Sequence, residues 1–115
     1  MVRRKSEIIV TTVENLRGGK GIISVEELAS KDELYNKGRL FAVTTVKPGD
    51  SIGFHKHEGE MEAYYILQGK GLYSDNGVET EVNAGDVTYT PDGEGHSMAN
   101  IGDEDLKFIA LIVFN

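Results

Sequence analysis

The chain contains no cysteine. No disulfide can staple its fold, and no thiolate is available as a nucleophile or a metal ligand. A chain without cysteine suits a reducing compartment, and a cytoplasmic location is the expectation. Tryptophan is absent and proline occurs only at Pro48 and Pro91, both in turn-forming surroundings. No apolar run approaches the roughly 20 residues of a membrane-spanning helix. The basic start, Arg3-Arg4-Lys5, is not followed by the apolar stretch and small residues of a secretory leader. Positive charge is in deficit: 12 Lys and Arg against 19 Asp and Glu give a net charge of −7. That balance lacks the basic stripe that nucleic-acid binding needs, so neither nucleic acid nor membrane is an expected partner. The terminal basic cluster reads as a solvated end. Gly18-Gly19 opens no helix and so makes no phosphate-cradling loop, and there is no serine or cysteine triad.

What is present is a short-period apolar pattern. At 115 residues the chain is long enough for one domain with a buried core. Residues 1–28 form an arm, and residues 39–114 form the patterned body. Apolar residues recur mostly every second position, which predicts strands and not helices. Candidate strands are Glu7–Thr12, Ile22–Leu28, Arg39–Val46, Ser51–His57, Met61–Leu67, Leu72–Ser74, Val78–Val82, Val87–Thr90, His96–Asn100 and Leu106–Phe114. Leu16–Gly21 reads as a flexible break and Ala29–Gly38 as a turn or short helix. Asn76-Gly77 is a hairpin signal. About ten short strands with turns every 8–12 residues predict an all-β sandwich or barrel. Leu106–Phe114 is apolar on both faces, as in a strand covered on both sides or set against a partner.

All three histidines lie in two glycine-punctuated stretches, Gly49–Gly69 and Gly85–Asn100. At i and i+2 on a strand, His55 and His57 point to the same face, and Lys56 points away. A hairpin would return Glu62 beside them, and its carboxylate would neutralise part of a divalent charge. Glu60 has the same parity as Glu62 but falls in the turn. His96 follows the loop Pro91–Gly95, whose permissive residues can aim an imidazole inward. Each signal alone also fits surface histidines. Together they offer three imidazoles and one carboxylate, a ligand set for a borderline divalent metal.

These stretches carry a resemblance. Gly49, His55, His57, Glu62 and Gly69 stand in the spacing G-x5-H-x-H-x4-E-x6-G. Gly85, Pro91, Gly93, His96 and Asn100 stand in G-x5-P-x-G-x2-H-x3-N. Both patterns resemble the two motifs of the cupin superfamily, with no departure at ten fixed positions. The resemblance implies a double-stranded β-helix, a jelly-roll-like barrel, with the N-terminal strand arm added outside the motifs. It implies one divalent metal (manganese, iron, nickel or zinc) on His55, His57, Glu62 and His96, with two adjacent coordination positions left open. Asn100 is implied to be structural. The general character is similar to small bacterial cupins of the oxalate decarboxylase type. True oxalate decarboxylases, however, carry two such domains and a lid glutamate, and neither is evident here. The resemblance implies a small oxygen-rich ligand, a carboxylate or a sugar. Decarboxylase, dioxygenase, lyase and isomerase chemistry are all compatible with it, as is a binding or sensor role without turnover. It also implies a homodimer.

Parity carries the reading outward from the ligands. Tyr64 and Ile66 share the inward face of Glu62, and Met98 and Asn100 share that of His96. Tyr64 is then a pocket residue able to hydrogen-bond a substrate, or a core aromatic. Either Phe41 and Val43 or Leu40 and Ala42 line the barrel. Arg39 could reach an anionic substrate or be solvated. Glu58, Glu60, Asp92 and Glu94 are candidate general bases or rim charges.

Overall fold

The computed structural model describes residues 1–115 as ten strands in two antiparallel sheets. They are β1 (Val10–Glu14), β2 (Ile22–Ala29), β3 (Gly38–Val46), β4 (Ser51–Lys56) and β5 (Glu60–Gln68). The series continues with β6 (Lys70–Asp75), β7 (Val78–Asn83), β8 (Val87–Thr90), β9 (Gly95–Asn100) and β10 (Leu106–Phe114). The large sheet has the order β1-β2-β3-β10-β5-β8, and the small one β4-β9-β6-β7. This is the all-β double-stranded β-helix that the resemblance implied, and the strand rhythm had pointed to a sandwich or barrel. No helix is long and apolar enough to cross a membrane.

Alternation decides which face of each strand is buried. On β10, Leu106, Phe108, Ala110 and Ile112 are buried, and the residues between them are half-exposed. On β5 the inward set includes Glu62, Tyr64 and Ile66. On β9 it includes His96, Met98 and Asn100. On β3 the inward register is Leu40, Ala42, Thr44 and Val46, which settles the choice against Phe41 and Val43. An apolar cluster including Ile23, Ile66, Met98, Leu106 and Phe108 fills one end of the space between the sheets. Full burial of such side chains stabilises the fold by about 1.5–3 kcal/mol each. Gly49, Gly69, Gly85 and Gly93 all adopt positive φ at strand breaks, a conformation that glycine adopts without steric cost. Asn100 is structural, as expected: its amide donates to the Val46 and Glu104 carbonyls, and its oxygen accepts from Gly102 N–H.

Two expectations change. The first strand begins at Val10, because residues 5–7 form a 3₁₀ turn. Leu16–Gly21 is not a loose break. Leu16–Gly18 forms a second 3₁₀ turn, docked against β4 through Lys20 N–H to Ser51 O at 3.2 Å and Ser51 N–H to Lys20 O at 2.9 Å. The docking needs two glycines for their lack of bulk. A Cβ on Gly19 would strike the Ser51 carbonyl, and one on Gly53 would strike the Arg17 carbonyl. The arm, residues 1–28, is thus clamped onto the body at the point where β4 carries its register shift, between Ile52 and His55.

Candidate metal centre

The bulge after Ile52 re-aims β4, so that His55 lies directly opposite His96 in the small sheet. His57 sits just past the end of β4. Its backbone is held by the loop before β9: His57 N–H donates to Glu94 O, and Gly93 N–H donates to His57 O. The Pro91–Gly95 loop therefore serves two ligands at once. Glu62 is not returned by a hairpin, because β4 and β5 belong to different sheets. It projects from the large sheet and meets the histidines across the barrel, paired in register with Thr90.

The four residues expected from sequence converge. Their donor atoms lie within 4.8 Å of one another and could hold a metal ion. The separations are informative. His96 Nε2 is 3.1 Å from His57 Nε2 and 3.1 Å from His55 Nε2. Glu62 Oε1 is 3.0 Å from His57 Nε2, 2.8 Å from His96 Nε2 and 4.0 Å from His55 Nε2. Donors at about 2.1 Å from an octahedral ion stand about 3.0 Å apart at neighbouring corners and about 4.2 Å apart at opposite ones. A tetrahedral ion would ask for about 3.4 Å on every edge. The four separations of 2.8–3.1 Å match neighbouring corners of an octahedron more closely than the edges of a tetrahedron.

The other nitrogen of each ring is tied down. His55 Nδ1 donates to the Gly53 carbonyl at 2.8 Å, and His57 Nδ1 donates to Glu60 Oε1 at 3.1 Å. His96 Nδ1 lies 2.8 Å from the Tyr73 hydroxyl and 3.0 Å from the Thr90 hydroxyl. Such outer contacts fix the ring orientation and turn Nε2 towards the centre. Glu60 is itself gripped by Arg39, whose Nε and Nη2 reach its two oxygens at 2.6 and 2.8 Å. Glu60 is therefore a support for His57, facing away from the donor cluster. Arg39 heads its strand, half-committed to that ion pair, with part of its surface in solvent.

Burial holds the His55 imidazole down at about 4, so this ring is neutral and ready to ligate at neutral pH. The hydrogen bond to Glu62 outweighs burial at His57 and raises its affinity for a proton, with Glu60 adding to the effect. For Glu62, burial pushes upward, but the contacts from His57 and His96 more than offset it and leave the carboxyl at about 2. Glu62 is thus an anion throughout the physiological range.

A cavity of about 270 Å³ opens onto this cluster, with Tyr64, Leu40 and Thr44 among its walls. That is just below the range of drug-sized sites, so only a small ligand fits. Tyr64 is both a packed core aromatic and part of the cavity wall. It stacks on His96 (centroids 5.0 Å apart, planes 25° apart) and packs on Phe108, yet it also lines the cavity. Burial, then the Glu62 charge, pushes its hydroxyl well above the ordinary tyrosine value, so it stays protonated. Of the four acidic residues proposed as bases, none lines the cavity. Glu58 and Asp92 are exposed, with Asp92 accepting from Gly59 N–H and Asn115 Nδ2. Glu94 is half-buried at the loop, and Glu60 faces Arg39.

Sequence reasoning missed Tyr73, Thr90 and Arg17. A signal for Thr90 was available. In Val87–Thr90 the threonines are buried while Val87 and Tyr89 face outward, an inverted pattern that marks a polar interior.

The Cupin domain family model matches residues 42–114. The chain is 50% identical over 113 residues to the oxalate-binding protein of Thermotoga maritima, covering 98% of this chain and 93% of that protein. It superposes on the crystal structure of a predicted oxalate decarboxylase from Thermotoga maritima with a TM-score of 0.95, at 50% identity and full coverage of both chains. It is 37% identical over 75 residues to the oxalate decarboxylase of Bacillus subtilis, covering 61% of this chain but 20% of that protein.

Proposed function

This chain belongs to the cupin family, and from that premise we propose that it binds one divalent metal through His55, His57, Glu62 and His96 and uses it to hold a small chelating carboxylate. The observation that carries the reading is the convergence of four donors within 4.8 Å, with four of their separations at 2.8–3.1 Å, on a cavity of about 270 Å³. It favours manganese, iron or nickel in octahedral coordination over a tetrahedral zinc. Four protein ligands on an octahedral ion leave two positions open, and the family resemblance implies that these are adjacent. Two adjacent open positions suit a bidentate ligand such as oxalate, and the name of the Thermotoga relative supports that choice. Bound there, the ion would act as a Lewis acid on the carboxylate oxygens.

A binding role without turnover has its own support. The cavity's carboxylate is the ligand Glu62, and its other titratable walls are His55, His57, Arg17, Arg39 and Tyr64. Tyr64 is held protonated, and the histidines are committed to the ion. Decarboxylation needs a group that passes a proton to the product, and this wall offers no uncommitted carboxylate for the task. The test is calorimetric titration of oxalate into manganese-loaded and metal-stripped protein, with formate and carbon dioxide measured afterwards. The expected result is binding in the loaded form alone, without product. Equal binding in the stripped form would sink the metal-dependent reading, and product formation would restore the enzyme.

The outer face of the large sheet supports a homodimer. Val43, Ile109, Tyr65 and Val87 lie in register across four strands, as do Phe41, Leu111, Ala63 and Tyr89. Tyr65, Val87 and Tyr89 are among the exposed apolar side chains. Two apolar rows on a gently twisted sheet are self-complementary about a twofold axis. Light scattering is expected to give about twice the 12.6 kDa chain mass, with Ile109→Glu reducing it to one chain. A monomeric wild type refutes the assignment.

A further inference from the structure

Two cationic side chains line the metal-facing cavity, Arg17 and Arg39. Arg39 is committed to Glu60 through a bidentate pair. Arg17 makes no ion pair and no side-chain hydrogen bond, although the chain carries an excess of carboxylates. Its backbone is unusual as well, with φ 57° and ψ 30° in the left-handed region. Such a conformation costs a non-glycine residue of order 1 kcal/mol or more and persists only where the surroundings impose it. Here they do. Gly18 N–H donates to Asn15 O, Gly19 N–H donates to Leu16 O, and the Lys20–Ser51 exchange pins the turn to β4. The Gly19 and Gly53 contacts then fix its depth. The result is an arginine held at the cavity mouth by a strained, clamped turn, with its charge acting on Tyr64 inside.

A free guanidinium beside a cation site has one chemical sense: the ligand is an anion that needs both. A dicarboxylate that chelates through one oxygen of each carboxylate keeps two outer oxygens, which carry charge and face away from the ion. We infer that Arg17 is the anion-recognising residue of this cavity, gripping the outward oxygens of a metal-chelated dicarboxylate and selecting it over monocarboxylates. Guanidinium suits that task because its planar fork presents two parallel donors. The inference rests on the carboxylate-binding reading above. It adds the N-terminal arm, outside the family's two motifs, as the part of the molecule that sets ligand charge.

The test uses the manganese-loaded full chain, with oxalate and acetate as probes. Arg17→Gln is expected to weaken oxalate binding by about tenfold or more and acetate by about twofold or less, with wild-type metal content and melting temperature. Arg17→Lys should recover part of the loss, and rising salt should narrow the gap between wild type and Arg17→Gln. Lys20→Gln makes the same charge change in the same turn but away from the cavity, and it should bind oxalate as wild type does. Oxalate affinity of Arg17→Gln within about twofold of wild type would overturn the inference alone. So would an equal loss in Lys20→Gln. A wild type that binds no oxalate at all removes the underlying reading, and the inference falls with it.

Discussion

Replacing His96 with alanine is expected to empty the metal site. His96 is fully buried, and its Nε2 is the only donor atom shown within about 3 Å of all three others. It is the shared corner of the set. Without it, His55 stands 4.0 Å from Glu62, and the one short contact left among the donors is that of Glu62 with His57 at 3.0 Å. Disturbing an outer contact of a metal-bound histidine already costs about 10–100-fold in affinity, so loss of the ring itself should exceed about 100-fold. Nothing nearby can substitute, since Tyr73 and Thr90 lie on the far side of the ring and hydrogen-bond each other at 2.7 Å. The fold should survive, because that hydroxyl pair remains satisfied and the loss is confined to one ring's packing against Tyr64, Tyr73, His55 and His57. The measurement is metal content by mass spectrometry after expression in metal-supplemented medium. Less than about a tenth of the wild-type occupancy is expected. The manganese-dependent rise in melting temperature should disappear with it, as a ligand that stabilises only the native state requires. Wild-type occupancy in the variant would remove His96 from the ligand set.

Adding one methyl group at Gly53 is expected to cost more than most surface changes. The new Cβ would meet the Arg17 carbonyl and the Gly19 backbone, and neither can rotate away as a side chain could. Either β4 shifts or the arm lifts. Overpacking of this kind typically destabilises by about 1–3 kcal/mol, a fall of several degrees in melting temperature for a domain of this size. The second consequence is local to the site. The Gly53 carbonyl accepts from His55 Nδ1 at 2.8 Å, so a shift of β4 turns that ligand's ring. Gly53→Ala should therefore lower both the melting temperature and metal affinity, whereas Gly18→Ala should lower the melting temperature alone, since its φ of 79° strains any side chain but a Cβ there meets nothing within 4 Å. Unchanged stability in Gly53→Ala would show that the arm is not clamped as described.

The sequence made the ligands legible because their geometry is nearly local. His55 and His57 share a face by parity, and parity carried inward to Tyr64, Ile66, Met98 and Asn100. Strand existence was legible for the same reason, with β8 and β10 found at their observed bounds. What escaped depends on which sheet a strand joins. Glu62 was expected beside the histidines on a hairpin, and it faces them across the barrel because β4 and β5 enter different sheets. The register of β3 could not be chosen, because both of its faces carry apolar residues, and pairing with β10 decides it. Glu60 was weighed as a ligand because it shares parity with Glu62. Only the position of Arg39, 21 residues earlier, assigns it to support. The docked turn at Leu16–Gly18 was read as a break because its order comes from contacts with Ser51 and Gly53, more than thirty residues away.

The place of β10 between β3 and β5 bears on how the molecule comes into being. The last of the ten strands in sequence is the one that joins the two halves of the large sheet. Until Leu106–Phe114 emerges, β3 and β5 have no common neighbour, and their apolar inner faces must wait for closure. Pairing across such separations is entropically slow, since long loops must close before the contacts that reward them. The donor set is completed by His96, also late in the chain. Metal capture is therefore expected only after β9 and β10 have joined the sheets, when an ion can enter a formed barrel and not a nascent strand. A chain truncated before β10 should accordingly be recovered as an aggregate, and not as a smaller barrel with a weaker site.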